Sequence, residues 1–248
     1  ARRLGKACGR YLTLSLEALS RREEAAFPRS VRVLAALIET LLPPLDSAAP
    51  VLIAGLGSRS IMPDAVGPRS ADHVIATRHL ISRSPEFFAS WRPVSVLAPG
   101  VLGQTGVETG EIVRGVLDHV RPRAVIVIDA LAAGRLSRLV RTVQLADTGI
   151  VPGSGVNNAR AALDRQTLGV PVLSIGVPTV ADGGSLAHEI AQQLDGAQCE
   201  ALDDLSQPFI ITTRDIDREV ADTARLIGYA VNMALQHISV EEIDLYLS

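Results

Sequence analysis

The feature that most constrains this chain is a run of five apolar residues, Ala124, Val125, Ile126, Val127 and Ile128, that closes on a carboxylate, Asp129. The run is too short and too rich in β-branched residues for a helix, so it predicts a strand buried on both faces, as parallel strands are. An acid at the carboxyl end of such a strand points into the crevice where open α/β sheets bind ligands. The rest of the chain is read around that crevice.

Three further stretches share the pattern: VLIAGLG from Val51, PVSVLA over 93–98 and PVLSIGVP over 171–178, with Leu139 to Leu145 as another strand. Helical spacing separates them. Arg29 to Leu42 ends on Pro43 and Pro44, a helix is expected from Gly67 or Pro68 to Leu80, and Glu108 to Val120 carries Ile112, Val113, Val116, Leu117 and Val120 on one face. Val156 to Leu168 and Ser185 to Leu194 are expected as helices too. Strand and helix therefore alternate, which predicts an α/β fold: three layers, α/β/α, around a mostly parallel, mixed sheet. Residues 1–30 read as an N-terminal arm whose alternating patch, Tyr11 to Leu19, can add an edge strand. Residues 195–207 read as a polar loop. A long helix capped by Thr212 or Thr213 is expected to run to about Gln236, and Ser239 with Glu242 makes a capping box for a last short one. The whole chain, 1–248, is expected to form one domain, with the helices of 208–248 packed on its core.

Charge and cysteine content narrow the function. Net charge is -3, Lys6 is the only lysine and no basic tract occurs, so no nucleic-acid surface is expected. Cys8 and Cys199 form no CxxC, and the histidines show no metal-binding spacing, so neither a metal nor another cofactor is expected. No apolar run approaches the ~20 residues that span a bilayer, and no membrane association is expected. The chain reads as cytoplasmic.

GLGSRS, from Gly55, lacks the third glycine of a dinucleotide fingerprint and reads as a tight turn. PGSG, Pro152 to Gly155, fails as a nucleophile elbow because a proline stands at the first glycine. Its glycines expose backbone N–H groups before a helix, where a carboxylate or oxyanion can bind. Asp64 and Asp129 each follow a buried strand, and parallel topology brings the ends of neighbouring strands to one edge. Two carboxylates in one cleft cannot both ionise easily, so one pKa rises and the other falls, giving an acid and a base at a single pH. Water-mediated amide hydrolysis needs that combination. The bland alternative is that Asp64 caps a helix and Asp129 receives loop N–H groups. Asp147, in ADTGI, is a third candidate.

At these residues the chain resembles the germination proteases of spore-forming bacteria. The resemblance is carried by GLGSRSIMPDAVGP (55–68), TRHL (77–80), RPVSVLAPGVLGQTGVETGEIVRGV (92–116), VIVIDALAA (125–133), QLADTGIVPGSGVNN (144–158), TLGVPVLSIGVPTV (167–180) and FIITTRDID (209–217). It implies an atypical aspartic endopeptidase with a core similar to the hydrogenase maturation proteases. It implies, further, a zymogen made with an N-terminal prosequence, a homotetramer, and degradation of small acid-soluble spore proteins in the spore core during germination. The family's two essential aspartates map onto Asp64 in MPDAVGP and Asp129 in IDALAAG. Ser58, Gly134 and Asn157 depart from the family pattern, which has asparagine, arginine and glycine there, and Arg135 follows the missing arginine. The expectation is an endopeptidase in which Asp64 and Asp129 share acid and base duties. Loops carrying Gly57, Ser58, Gly103, Thr105, Gly134, Arg135, Asp147, Gly153, Ser154 and Gly155 would hold an extended substrate. The alternatives are a maturation-type peptidase with one narrow protein substrate, and a catalytically impaired paralogue acting as a scaffold.

Overall fold

A computed structural model of the chain describes residues 7–156, 160–184 and 209–248. Its strands are β1 (Tyr11–Ser15), β2 (Val51–Gly55), β3 (Val94–Leu97), β4 (Ala124–Ala132), β5 (Thr142–Ala146), β6 (Val172–Asp182) and β7 (Ile210–Ile211). They form one sheet in the order β1-β5-β6-β4-β2-β3, with β7 on the far end of β6. β3, β2, β4 and β6 are mutually parallel, while β5 runs antiparallel to β6 and β1 antiparallel to β5. The sheet is therefore mixed, with its parallel part at the centre, and the alternating patch of the N-terminal arm is its edge strand.

The central strands alternate their side chains between two apolar layers. Ile53, Ile126, Ile128, Leu173 and Ile175 enter the layer filled by Leu34 and Ile38 of helix Ala26–Leu41 and by Leu226, Ile227 and Val231 of helix Ile216–Gln236. Leu52, Ala54, Val125, Val127 and Val172 face the other way, onto Val113 of helix Thr109–Val120 and onto Leu163 and Leu168. Both faces of β2 and β4 are thus covered, which is why these segments carry no polar residue until their carboxyl ends.

Neither Thr212 nor Thr213 caps the long helix: it starts at Ile216 after Asp215, and the two hydroxyls bond the Thr179 carbonyl and Glu219. Three further expectations need correction. The single helix expected from residue 67 to 80 is two, Val66–Asp72 and Arg78–Arg83. Between them the chain docks on helix Ile216–Gln236: buried Asn232 accepts from the Ile75 N–H at 2.9 Å and donates to the His73 carbonyl at 2.8 Å. One side chain there satisfies the backbone groups that a continuous helix would have paired internally. The helix expected over 156–168 shrinks to Arg165–Leu168, capped by Asp164. Ile150 and Leu163 instead exchange both backbone hydrogen bonds, at 3.0 and 2.8 Å, which buries Leu163 as extended chain. The strand expected at 139–145 starts at Thr142, because Val140 turns with φ of 51° to donate its N–H to the Pro178 carbonyl. The helix expected over 185–194 and the loop over 195–207 lie outside the described residues. The capping box of Ser239 and Glu242 forms as expected and opens helix Val240–Leu247.

Candidate active site

β2 has β3 on one side and β4 on the other, so the order of connection reverses at the β2/β4 pair. Such a switch point opens a crevice at the carboxyl ends of the strands. Pairing between β2 and β4 ends at Gly55 opposite Ile128, the Leu56 N–H donates to the Ile128 carbonyl at 2.8 Å, and the chain then turns away. β4 continues alone against β6, with Asp129 opposite Gly176 and Ala132 opposite Val180. Asp129 is therefore the first β4 residue beyond the reach of β2. By strand alternation its side chain lies on the face of Val125 and Val127, where their apolar layer gives way to a cleft of about 660 Å³.

Asp64 reaches the same cleft from the turn Met62–Asp64. Its Oδ2 accepts the Ser58 N–H at 2.7 Å. Gly57 makes that contact possible: with φ of 109°, it lies so close to the turn that a Cβ would fall 2.0 Å from the Asp64 carbonyl oxygen and 3.0 Å from its Oδ1. Gly67 has a matching role below, where a Cβ would fall 2.1 Å from the Leu56 carbonyl oxygen and 2.5 Å from that of Ile128. Helix Val66–Asp72 thus starts directly on the ends of β2 and β4, and the glycines that resemble a nucleotide fingerprint serve to close this packing.

The electrostatics follow from the placement. Asp129 is 6% exposed. Burial first, and then the nearby Asp64 carboxylate, push its carboxyl up to about 7, against the opposing effect of the Ala130 N–H that donates to Oδ1 at 2.9 Å. Burial also raises Asp64 above its usual range, with the Ser58 N–H pulling the other way. Two carboxylates in a partly dry cleft do not ionise independently, and Asp129, the drier of the two, keeps its proton up to about pH 7.

Gly57, Gly153, Ser154 and Gly155 line the cleft with the two aspartates. Ser58 lies just behind it, its hydroxyl bonded to Ser60 at 2.9 Å and to Gln104 Nε2 at 3.0 Å. The segment Leu102–Thr105 contributes Leu102 to the wall, while the Thr105 hydroxyl bonds the carbonyls of Val101 and Val107, at 3.3 and 3.0 Å, and Gly103 faces open space. Gly134 and Arg135 lie beyond the lining, and a Cβ at Gly134 meets nothing within 4 Å. Asp147 is elsewhere, held by the Arg10 backbone N–H and by Nε, each at 2.8 Å. Asn157 lies outside the described residues.

Sequence reading missed a charged pair in the wall, Arg160 to Glu108 at 3.0 Å. Glu108 was legible only as the start of a helix, which it caps together with Glu111, and Arg160 fell inside a helix that does not form. The remaining lining is mostly apolar, including Ile61, Val101, Val151 and Ile210. Among the described residues no cluster of three or more His, Cys, Asp or Glu side chains could hold a metal ion, and no helix is long and apolar enough to cross a membrane.

A family model described as germination protease matches residues 1–195. A germination protease of Caldanaerobacter subterraneus subsp. tengcongensis is 39% identical over 260 residues, covering 94% of this chain and 80% of the relative. One from Clostridium perfringens is 33% identical over 276 residues, covering 100% of this chain and 85% of the relative. One from Bacillus subtilis is 44% identical over 188 residues, with coverages of 75% and 51%. Among solved structures, a NiFe hydrogenase maturation protease from Thermococcus kodakarensis aligns with a TM-score of 0.43 and 17% identity, over 79% of this chain and 99% of the other.

Proposed function

The chain belongs to the germination protease family, and on that premise we propose that it is an endopeptidase of aspartic type that opens small acid-soluble spore proteins during germination, with Asp64 and Asp129 as its acid and base. One observation carries the reading: both carboxylates enter a single cleft at the switch point of the sheet, where burial, and then the nearby Asp64 carboxylate, hold the Asp129 carboxyl at about 7. Family membership implies a protein substrate, and a cleft with apolar walls and two acids at its base suits a polypeptide chain.

The chemistry follows from the two environments. Asp64 accepts the Ser58 N–H and carries the charge, while Asp129, drier, carries the proton. Asp64 takes a proton from a water molecule as its oxygen bonds to the scissile carbonyl carbon. Asp129 gives its proton to the leaving nitrogen as the C–N bond breaks. The proton on Asp64 then returns to Asp129, and the pair again holds one.

Gly57 and Gly153 to Gly155 border the path of the substrate, and Ser58 fixes Asp64 from behind. The reading includes a homotetramer in the spore core, for which Leu245 and Tyr246 of the last helix, 77% and 51% exposed, supply apolar surface. Light scattering tests that part, and a monodisperse monomer contradicts it. The activity is tested by incubating the protein with a purified small acid-soluble spore protein and reading fragments by intact mass. Cleavage at one or two defined bonds, unchanged by serine- and thiol-directed reagents and by chelators, is the expected result. An intact substrate overturns the reading, and loss of cleavage in chelator replaces the aspartate pair with a metal.

A further inference from the structure

The loop that holds Asp64 is itself held from outside. Ser58 is 1% exposed, and a hydroxyl buried this far needs partners. It finds them in a closed triangle: Gln104 Nε2 donates to the Ser58 hydroxyl at 3.0 Å and to the Ser60 hydroxyl at 3.3 Å, and the two serine oxygens share a hydrogen bond of 2.9 Å. Gln104 belongs to a different part of the chain, the segment Leu102–Thr105 that follows β3, while the serines follow β2. Val101 and Leu102, just before it, line the cleft. Gln104 therefore ties the turn after β2 to the cleft wall after β3. A second tether on the loop is the Arg59–Asp72 pair, at 2.7 Å, but both its side chains are half-exposed, where solvent screening leaves an ion pair little hold.

Resting on the reading of Asp64 as the base, we propose that Gln104 is a positioning residue: through the Ser58 hydroxyl it fixes the Ser58 peptide, whose N–H donates to Asp64 Oδ2 at 2.7 Å. The hydroxyl oxygen lies only a few bonds from the amide nitrogen, so holding the one restricts the direction of the other. The hold is needed because Gly57, immediately before, has φ of 109° and no side chain to restrain the same peptide. The Gln104 amide bonds the serines and not the aspartate, and it acts on catalysis through the aim of that one hydrogen bond. The Ser58 N–H favours the charged form of Asp64 against the effect of burial. Loosening it makes the base harder to ionise, and the loss falls on kcat and on the pH profile rather than on substrate binding.

Gln104→Met keeps the length of the side chain and removes its donor. With a purified small acid-soluble spore protein as substrate, this variant is expected to lower kcat by about three- to tenfold, the net loss of one hydrogen bond, and to leave KM within about twofold. The acid limb of its kcat/KM profile should move to higher pH by about half a unit to one unit, since the loosened bond favours ionised Asp64. NMR titration of the Asp64 carboxyl carbon in the absence of substrate should show the same upward move. Ser58→Ala keeps the backbone N–H and removes the hydroxyl, so it should match Gln104→Met, and the double variant should lose little more than either one. An acid limb and a carboxyl titration that stay in place, or losses that add in the double variant, overturn the positioning role and leave the peptidase reading standing. Cleavage by Asp64→Asn at the wild-type rate overturns the reading of Asp64 as the base, on which that role rests.

Discussion

Asp129→Asn is expected to stabilise the protein while disabling it, and the size of the effect can be worked from the site. The substitution removes the charge and keeps the shape. In the folded chain, burial and then the Asp64 carboxylate hold the Asp129 carboxyl at about 7, against 3.8 for an ordinary aspartate. Between those values the folded chain keeps a proton that the unfolded chain has released. The group's contribution to stability is thus fully present below 3.8 and is lost as pH rises through about 7. Each tenfold difference in proton affinity is worth about 1.4 kcal/mol, so the loss totals on the order of 4 kcal/mol above pH 7. Asparagine does not titrate and suffers no such loss. Urea unfolding of variant and wild type between pH 4 and pH 9 checks this. The stability difference in favour of the variant should grow by roughly 1.4 kcal/mol per pH unit up to about pH 7 and then level off. A difference that does not change with pH would refute the claim that Asp129 is held protonated by its surroundings.

Three further outcomes are expected. Gly57→Ala should reduce kcat by about 100-fold or more, because a Cβ 2.0 Å from the Asp64 carbonyl oxygen must displace that aspartate; wild-type kinetics would show that the close approach does not position it. Asn232→Ala should cost about 2–4 kcal/mol by stranding the Ile75 N–H and the His73 carbonyl, lowering Tm by roughly 5–15 °C, and an unchanged melting curve would contradict that role. The kcat/KM profile should be bell-shaped, rising with pH as Asp64 ionises above the usual carboxylate range and falling through about 7 as Asp129 loses its proton. A flat profile from pH 6 to 9 would exclude Asp129 as the acid.

The parts of the fold legible in the sequence were those whose periodicity had no competitor. β2, β4 and β6 are apolar on both faces, and no other arrangement buries Val51–Ala54 or Ala124–Ile128. Helix Thr109–Val120 declares itself by one apolar face and an acidic cap. What misled was long-range pairing that local pattern cannot show. Asn232 breaks a helix by offering hydrogen bonds to residues 159 and 157 positions earlier, His73 and Ile75. Leu163 keeps helical spacing yet is buried by a bridge to Ile150. At the site, the meeting of Asp64 and Asp129 followed from topology, since Asp129 lies where β4 outruns β2 and Asp64 lies in the turn that follows β2. Asp147 also follows a strand, but β5 runs antiparallel to β6, so its carboxyl end points to the opposite edge, where Arg10 holds the acid. The Glu108–Arg160 pair joins the start of one helix to a segment with no helix of its own, and nothing in the spacing links them.

The central claim is that Asp64 and Asp129 act as one unit on a peptide bond. Single-turnover cleavage of a small acid-soluble spore protein by wild type, Asp64→Asn, Asp129→Asn and the double variant tests it most directly. Each single variant should be slower by about 100-fold or more, and the double variant should lose little beyond the worse single one, since either acid is useless without its partner. Cleavage at the wild-type rate by either single variant would contradict the account.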